Sequence, residues 1–345
     1  MTTSVSPASF ADMVTSTLYE LNKGKFVFAG ASLQKYVVMK RLLKENKIVQ
    51  EGGRGIEQTL MLTHQNVARH CLPTDTDTAS IPNVLTTMRV PWVHAETNWV
   101  ILRQELLMNK GPARIVNEIK TRQLGARVSM AKELEEKFWS TTVPDSANVT
   151  DPWGIFYWLP SSATEGFNSG LPTGHTTKAN VNLTTYPNFK GYTGTFNAYT
   201  DSSLLALLRR TARKINFETP ASAEEMKKIG HAYVGYANET NLNNLERLAE
   251  KRNDNMGAEL MRYFGSVLFN KNRIEYVPYL DDNSNNPIFL LNHDTFFVYV
   301  LGGDYFHTTT YDPRPPQHNM VQTFEDLTYN YCFIDLRQNA HLYKV

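Results

Sequence analysis

Two carboxylates spaced two residues apart can hold magnesium and attack a phosphate, and Asp75-Thr-Asp77 has that spacing. Such a pair needs an apolar strand in front of it. Here Leu72-Pro73-Thr74 precedes and Ala79 follows, which reads as a solvated loop tip. Asp281-Asp-Asn-Ser-Asn-Asn286 has the oxygen density of a calcium loop, but that loop needs glycine at its sixth position and glutamate at its twelfth. Asn286 and Asn292 stand there, so a polar turn is expected. Gly52-Gly-Arg-Gly55 lacks the Lys-Ser/Thr of a phosphate cradle and reads as a hinge. His64, His70 and Cys71 suggest zinc by proximity, yet the second thiol, Cys332, completes no standard ligand spacing. Neither cysteine has a His/Asn pattern beside it, and Gly-x-Ser-x-Gly is absent. The sequence therefore predicts no catalytic, cofactor-binding or metal-ligating set.

The elements that would position such residues are more informative. Ile115, Ile119, Ala126, Met130, Leu134 and Phe138 fall at steps of four and seven, which predicts one helix over Pro112–Trp139. Pro112 sits in the first turn, where a helix tolerates proline. At ~1.5 Å per residue the helix would be ~40 Å long. Before it, Ile56 to His64 and Met88 to Trp92 alternate and read as two strands. The stretch between them, Cys71 to Asn83, is rich in turn formers and poor in core residues. A two-stranded arm of this kind is marginal alone in water, so its natural support is a neighbouring subunit.

Beyond the helix, Asp151 to about Asn197 is aromatic, punctuated by Gly and Pro, and reads as loops and short strands. Asp201 and Ser202 offer caps for a second helix carrying Leu204, Leu208, Ala212 and Ile215. A third helix is expected from about Asn241 to Lys251. Strands are expected at Ala232–Ala237, Ile274–Leu280, Ile288–Leu291, Thr295–Leu301 and Leu327–Asp335, with a last β run at Asn339–Tyr343. Without a strict βαβ alternation the class is α+β.

Composition narrows the function. A chain of 345 residues, 41% hydrophobic and 20% charged, can bury a substantial core and is not disordered. A net charge of +1 gives no broad electrostatic case for nucleic-acid or membrane binding. Two cysteines fit a reducing compartment. Met1 to Met13 has neither the basic start nor the apolar core of a signal peptide, and no window is apolar enough to span a membrane.

Taken together, the order of parts resembles the major capsid proteins of tailed bacteriophages, podovirus-like members of the Hong Kong 97-type fold. Met88 to Gln104 resembles the return strand of their extended loop leading into the spine helix, and Ala131 to Trp139 the end of that helix. Asp151-Pro-Trp-Gly154 and Gly166 to His175 are similar to segments of the same group. Phe324 to Cys332 and Arg337 to Ala340 resemble the closing strands of the peripheral domain.

The resemblance implies an N-terminal arm at 1–45, an extended loop at 46–100 and a peripheral domain with the spine helix at 101–194. It implies an axial domain at 195–310 and C-terminal strands at 311–345 returning to the peripheral domain. The implied function is self-assembly into hexamers and pentamers of an icosahedral virion shell around the phage dsDNA genome, built in the host cytoplasm. The implied partners are further copies of the chain, a portal protein, encapsidated DNA held without sequence specificity, and a cement protein. A separate scaffolding protein is expected too, because only about forty-five residues precede the loop. Some relatives weld subunits through a lysine–asparagine isopeptide bond with the lysine on the loop. No lysine lies between Lys47 and Lys110, so a non-covalent shell is expected. Two alternatives stand beside this reading: an encapsulin-like compartment shell, and a soluble metabolic enzyme, which the lack of any clustered catalytic set disfavours.

Overall fold

The structure, a computed structural model, describes residues 48–63, 70, 72, 84–104, 112–145, 150–216, 232–250, 266–269, 272–311 and 319–345. The expected N-terminal arm, the Asp75/Asp77 pair, and His64 and Cys71 lie outside them.

Helix α1 spans Pro112–Trp139, the predicted bounds. Ile119, Ala126, Met130, Leu134 and Phe138 are all buried, as their spacing requires. This face lies on a four-stranded sheet. Its strands are β1 (Ile48–Glu51), β4 (Val93–Leu102), β10 (Phe296–Tyr311) and β11 (Met320–Phe333), in the order β1-β10-β11-β4. β1 runs parallel to β10 and the other pairs are antiparallel. Every second residue of β4 and β11 turns toward the helix: Thr97 donates to the Ala126 carbonyl and Tyr331 to that of Leu134.

A two-stranded ribbon precedes β4, made of β2 (Ile56–Met61) and β3 (Leu85–Val90). Pro91-Trp92 ends β3 because proline has no N–H to give the ladder. The chain then re-enters the body as β4.

The second sheet has six strands, in the order β5-β12-β9-β6-β8-β7. They are β5 (Tyr192–Phe196), β6 (Tyr233–Ala237), β7 (Ser266–Phe269), β8 (Asn272–Tyr276), β9 (Ile288–Asn292) and β12 (Ala340–Lys344). A short helix α2 (Ile155–Trp158) follows α1. Helices α3 (Ala206–Ile215) and α4 (Glu239–Glu250) cover one face of this sheet through Leu207, Leu208, Ile215, Leu242, Leu245 and Leu248. Its other face, with Val234, Tyr236, Phe289 and Leu291, joins the core that holds the end of α1. There Phe138 meets Tyr331 edge-on at 5.1 Å and Phe296 at 5.3 Å, while Trp139 reaches Tyr236 at 5.4 Å. The C-terminal end of the long helix is thus the joint between the two sheets. Gly154 makes the joint possible: a Cβ there would sit 2.6 Å from the Phe138 carbonyl oxygen.

The pairing places Phe296–Tyr311 beside β11 in the four-stranded sheet and Ala340–Lys344 beside β5 and β9 in the six-stranded sheet. Two local expectations shift. The strand expected over Ile274–Leu280 stops at Tyr276, and Pro278 opens a 3-10 turn instead. The cap before α3 is Thr200, whose hydroxyl accepts from the Ser203 N–H, rather than Asp201 or Ser202; a π-helical turn, Asp201–Leu205, then leads into α3.

Candidate functional site

The ionisable groups buried in the body serve structure. Glu325 of β11 is fully buried, yet accepts from Arg127 Nε and Gln123 Nε2 of α1, both at 2.9 Å. A buried carboxylate persists only when paired in this way, so this triad fixes the register of helix on sheet. Lys178 is buried too, and its Nζ donates to the carbonyls of Trp158 and Ser169 and meets the Ser169 hydroxyl. Burial pulls its pKa down to about 7. His341 bonds the Leu159 carbonyl, stacks on Phe289 at 4.4 Å, and is lowered to about 4 by burial. The Cys332 thiol is pushed up by burial, away from thiolate chemistry. Asp281 accepts from the Glu239 N–H at the start of α4, and Asn241 Nδ2 donates to the Asn286 carbonyl. The calcium-like run is therefore a helix-capping turn.

A different kind of site lies where the ribbon leaves the body. Both strands cross there through short connectors, Gly52–Gly55 on one side and Pro91-Trp92 on the other. The Trp92 indole donates to the Gly53 carbonyl at 3.0 Å, tying the connectors together, and Asn330 Nδ2 holds the Pro91 carbonyl at 2.8 Å. Gly53 sits at φ +105°, a conformation that glycine adopts without strain. The expected hinge is thus a pinned corner.

The ribbon is also less dependent on neighbours than its polar sequence suggests. Ile56, Leu60, Met88 and Val90 share one face and are buried in the main core. Each contributes about 1.5–3 kcal/mol as an upper figure. The Arg89 N–H donates to the Ala179 carbonyl, and Asn188 Nδ2 reaches the Leu62 carbonyl. The sequence reading missed this because alternation shows that a strand has an apolar face without showing what covers it.

At the last pair of the ladder the outward face turns apolar: Met61, 50% exposed, lies opposite Leu85, 53% exposed, and Leu72 in the segment between the strands is 68% exposed. The four-stranded sheet is likewise open: β4 is an edge strand flanking a groove of 380 Å³ lined by Met130, Glu133, Lys137 and Pro152. What this arrangement can do is bind other protein chains.

No family model matches the chain, and no curated relative does. Solved structures do match across nearly its whole length. A chain of the cyanophage A-1(L) capsid asymmetric unit superposes with a TM-score of 0.61 at 14% identity, covering 93% of this chain and 96% of that one. The capsid of a native GTA particle gives 0.56 at 10% identity, covering 95% and 96%. A chain titled Mycobacterium phage Bobi gives 0.52 at 10% identity, covering 99% of both. The chain has the Hong Kong 97-type capsid fold, α+β with a long helix and mixed sheets, in accord with the expectation from sequence.

Proposed function

We propose that this chain is a major capsid protein that assembles into hexamers and pentamers of an icosahedral virion head around phage dsDNA. The observation that carries the reading is a capsid fold, matched end to end, combined with a ribbon whose root is docked at home and whose outer part carries exposed apolar side chains. Such a subunit gains stability by lending its arms to neighbours, and many weak contacts closed into rings make a container. Its partners are other copies of itself, with a scaffolding protein and a portal during assembly and a cement protein on the finished shell.

The shell is held without isopeptide bonds. Welding needs a neutral amine near an amide carbonyl, with a carboxylate to take the proton. Residues 48–109 hold arginines but no lysine, and arginine stays protonated. Lys178, the buried amine, bonds inside its own subunit, too deep for a neighbour. Sedimentation of the purified or scaffold-co-expressed chain is expected to show megadalton particles. Boiled in denaturant, they should run as one band at 39.3 kDa. A small oligomer under every condition would overturn the capsid reading in favour of an enzyme. A ladder of larger bands would overturn only the non-covalent part, and a cargo enzyme inside the particles in place of DNA would point to a compartment shell.

A further inference from the structure

We propose that His94, Glu96 and Asp326 bind a divalent first-row transition ion of the zinc type, stapling β4 to β11 beside the corner where the ribbon joins the body. The inference stands on these side chains alone and does not depend on the capsid reading.

Strand pairing builds the site. His94 and Glu96 are two apart on β4 and so share its open face, while the register puts Asp326 opposite Glu96 and Thr328 opposite His94. One ligand atom from each of His94, Glu96 and Asp326 lies within 4.8 Å of the others. Glu96, exposed, and Asp326, half-buried, repel each other across the pair, and a cation between them would relieve that repulsion. His307 on β10 lies opposite Asp326 from the other side, and Asp304 lies beside His94.

The imidazole identifies what kind of cation. The Thr328 hydroxyl donates to Asp304 Oδ2, so its oxygen is left to accept from His94 Nδ1–H, 2.9 Å away. That chain of donation places the ring proton on Nδ1 and leaves the lone pair on Nε2. Nε2 in turn faces Asp326 Oδ1 at 3.8 Å. A cation held between Nε2 and Oδ1 would take a lone pair from each. A tetrahedral ion with bonds of about 2.0–2.1 Å would hold its ligands about 3.3–3.4 Å apart, so the His94–Asp326 pair at 3.8 Å would close by about 0.4–0.5 Å and the rest of the set, within 4.8 Å, by up to about 1.4 Å through side-chain rotation. The outer support also matches a metal site, since ligating histidines bind a second polar group through the other ring nitrogen. Calcium and magnesium prefer all-oxygen sites, so the imidazole selects against them. Sequence reading sought ligands close together along the chain and looked at His64, His70 and Cys71; these three meet only through β4–β11 pairing.

The test is calorimetric titration of the metal-stripped full chain with ZnCl2 and separately with CaCl2, followed by the visible spectrum of the Co²⁺ form. The proposal expects one Zn²⁺ per chain, no heat from Ca²⁺, and the strong d–d absorption of a four-coordinate cobalt site. His94→Ala and Asp326→Asn should abolish that spectrum, and Thr328→Val should weaken affinity about 10–100-fold while keeping the stoichiometry. Should His94→Ala misfold, Asp326→Asn, a near-isosteric change, carries the same test. Absence of Zn²⁺ binding by the wild type would overturn the proposal. So would Zn²⁺ binding and a cobalt spectrum unchanged in Asp326→Asn, which would place the metal elsewhere. A third overturning result is a wild-type melting temperature indifferent to EDTA and to added Zn²⁺.

Discussion

The six-stranded sheet is covered on both faces, by α3 and α4 on one side and by the aromatic joint at the end of α1 on the other. All five residues of its strand β9 are accordingly buried. The four-stranded sheet is covered on both faces only at its inner end, where Tyr299, Asn330 and Cys332 are buried opposite Val298 and Tyr331; along β4 it is covered on one face. Its strand β4 alternates, with Val93, Trp99 and Ile101 buried against α1 and His94, Glu96 and Asn98 in the open. The six-stranded sheet needs nothing further. The four-stranded sheet shares the main core through its inner strands but, along β4 and the ribbon that grows from it, keeps an open face, an open edge and outward apolar residues. The division teaches that stability resides in the covered core of both sheets and capacity for contact in β4 and the outer ribbon, so damage to each should have a different readout.

The largest effects should come from the helix–sheet seam and the joint. Met130→Asp puts an unpaired charge into the buried face of α1 and should cost several kcal/mol, leaving insoluble protein. A soluble variant would show that the wrong face of α1 has been assigned to the core. Phe289→Ala, in the doubly covered sheet, should cost about 3–5 kcal/mol by chemical denaturation. A loss below 1 kcal/mol would mean that this sheet is less tightly packed than described.

A pH effect of intermediate size follows from the buried bases. His341 is lowered to about 4 from 6.5, so between those values the unfolded state binds the proton that the folded state refuses. The His341 contribution should be full above pH 6.5 and fall by about 3 kcal/mol as pH drops toward 4, and His341→Gln should flatten that slope. Lys178, lowered to about 7 from 10.5, has the same sign in a higher window: stability should rise with pH above 7, and Lys178→Met should remove the rise. The smallest change in stability should be on the ribbon. Arg89 and Glu57 are both about half exposed, so Arg89→Ala should alter stability by about 0–1 kcal/mol.

Much of this division was legible in the sequence, and the exceptions have physical causes. The bounds of α1 could be read because proline marks its start and an apolar step of four persists to Phe138. β10 reads as ending at Leu301 because Gly302-Gly303 looks like a turn. The structure instead absorbs the pair as a register shift after Val300, with Gly303 at φ +95°, and the strand continues to Tyr311. Glu325 and Lys178 look like surface residues, since a charge carries no local sign of burial when its partners come from distant segments. The juxtaposition of His94 with Asp326 was not readable, because register between strands far apart in sequence is a tertiary property.

The most direct test of the division is to image the full chain beside a variant lacking Thr74–Ser80, under conditions in which the full chain assembles, while measuring both melting temperatures. We expect closed shells from the full chain. The deletion variant should melt within a few degrees of it and yet form few or no shells. Normal shells from the deletion variant, or a body that unfolds once the tip is removed, would contradict the claim that the body is self-sufficient and the ribbon is kept for neighbours.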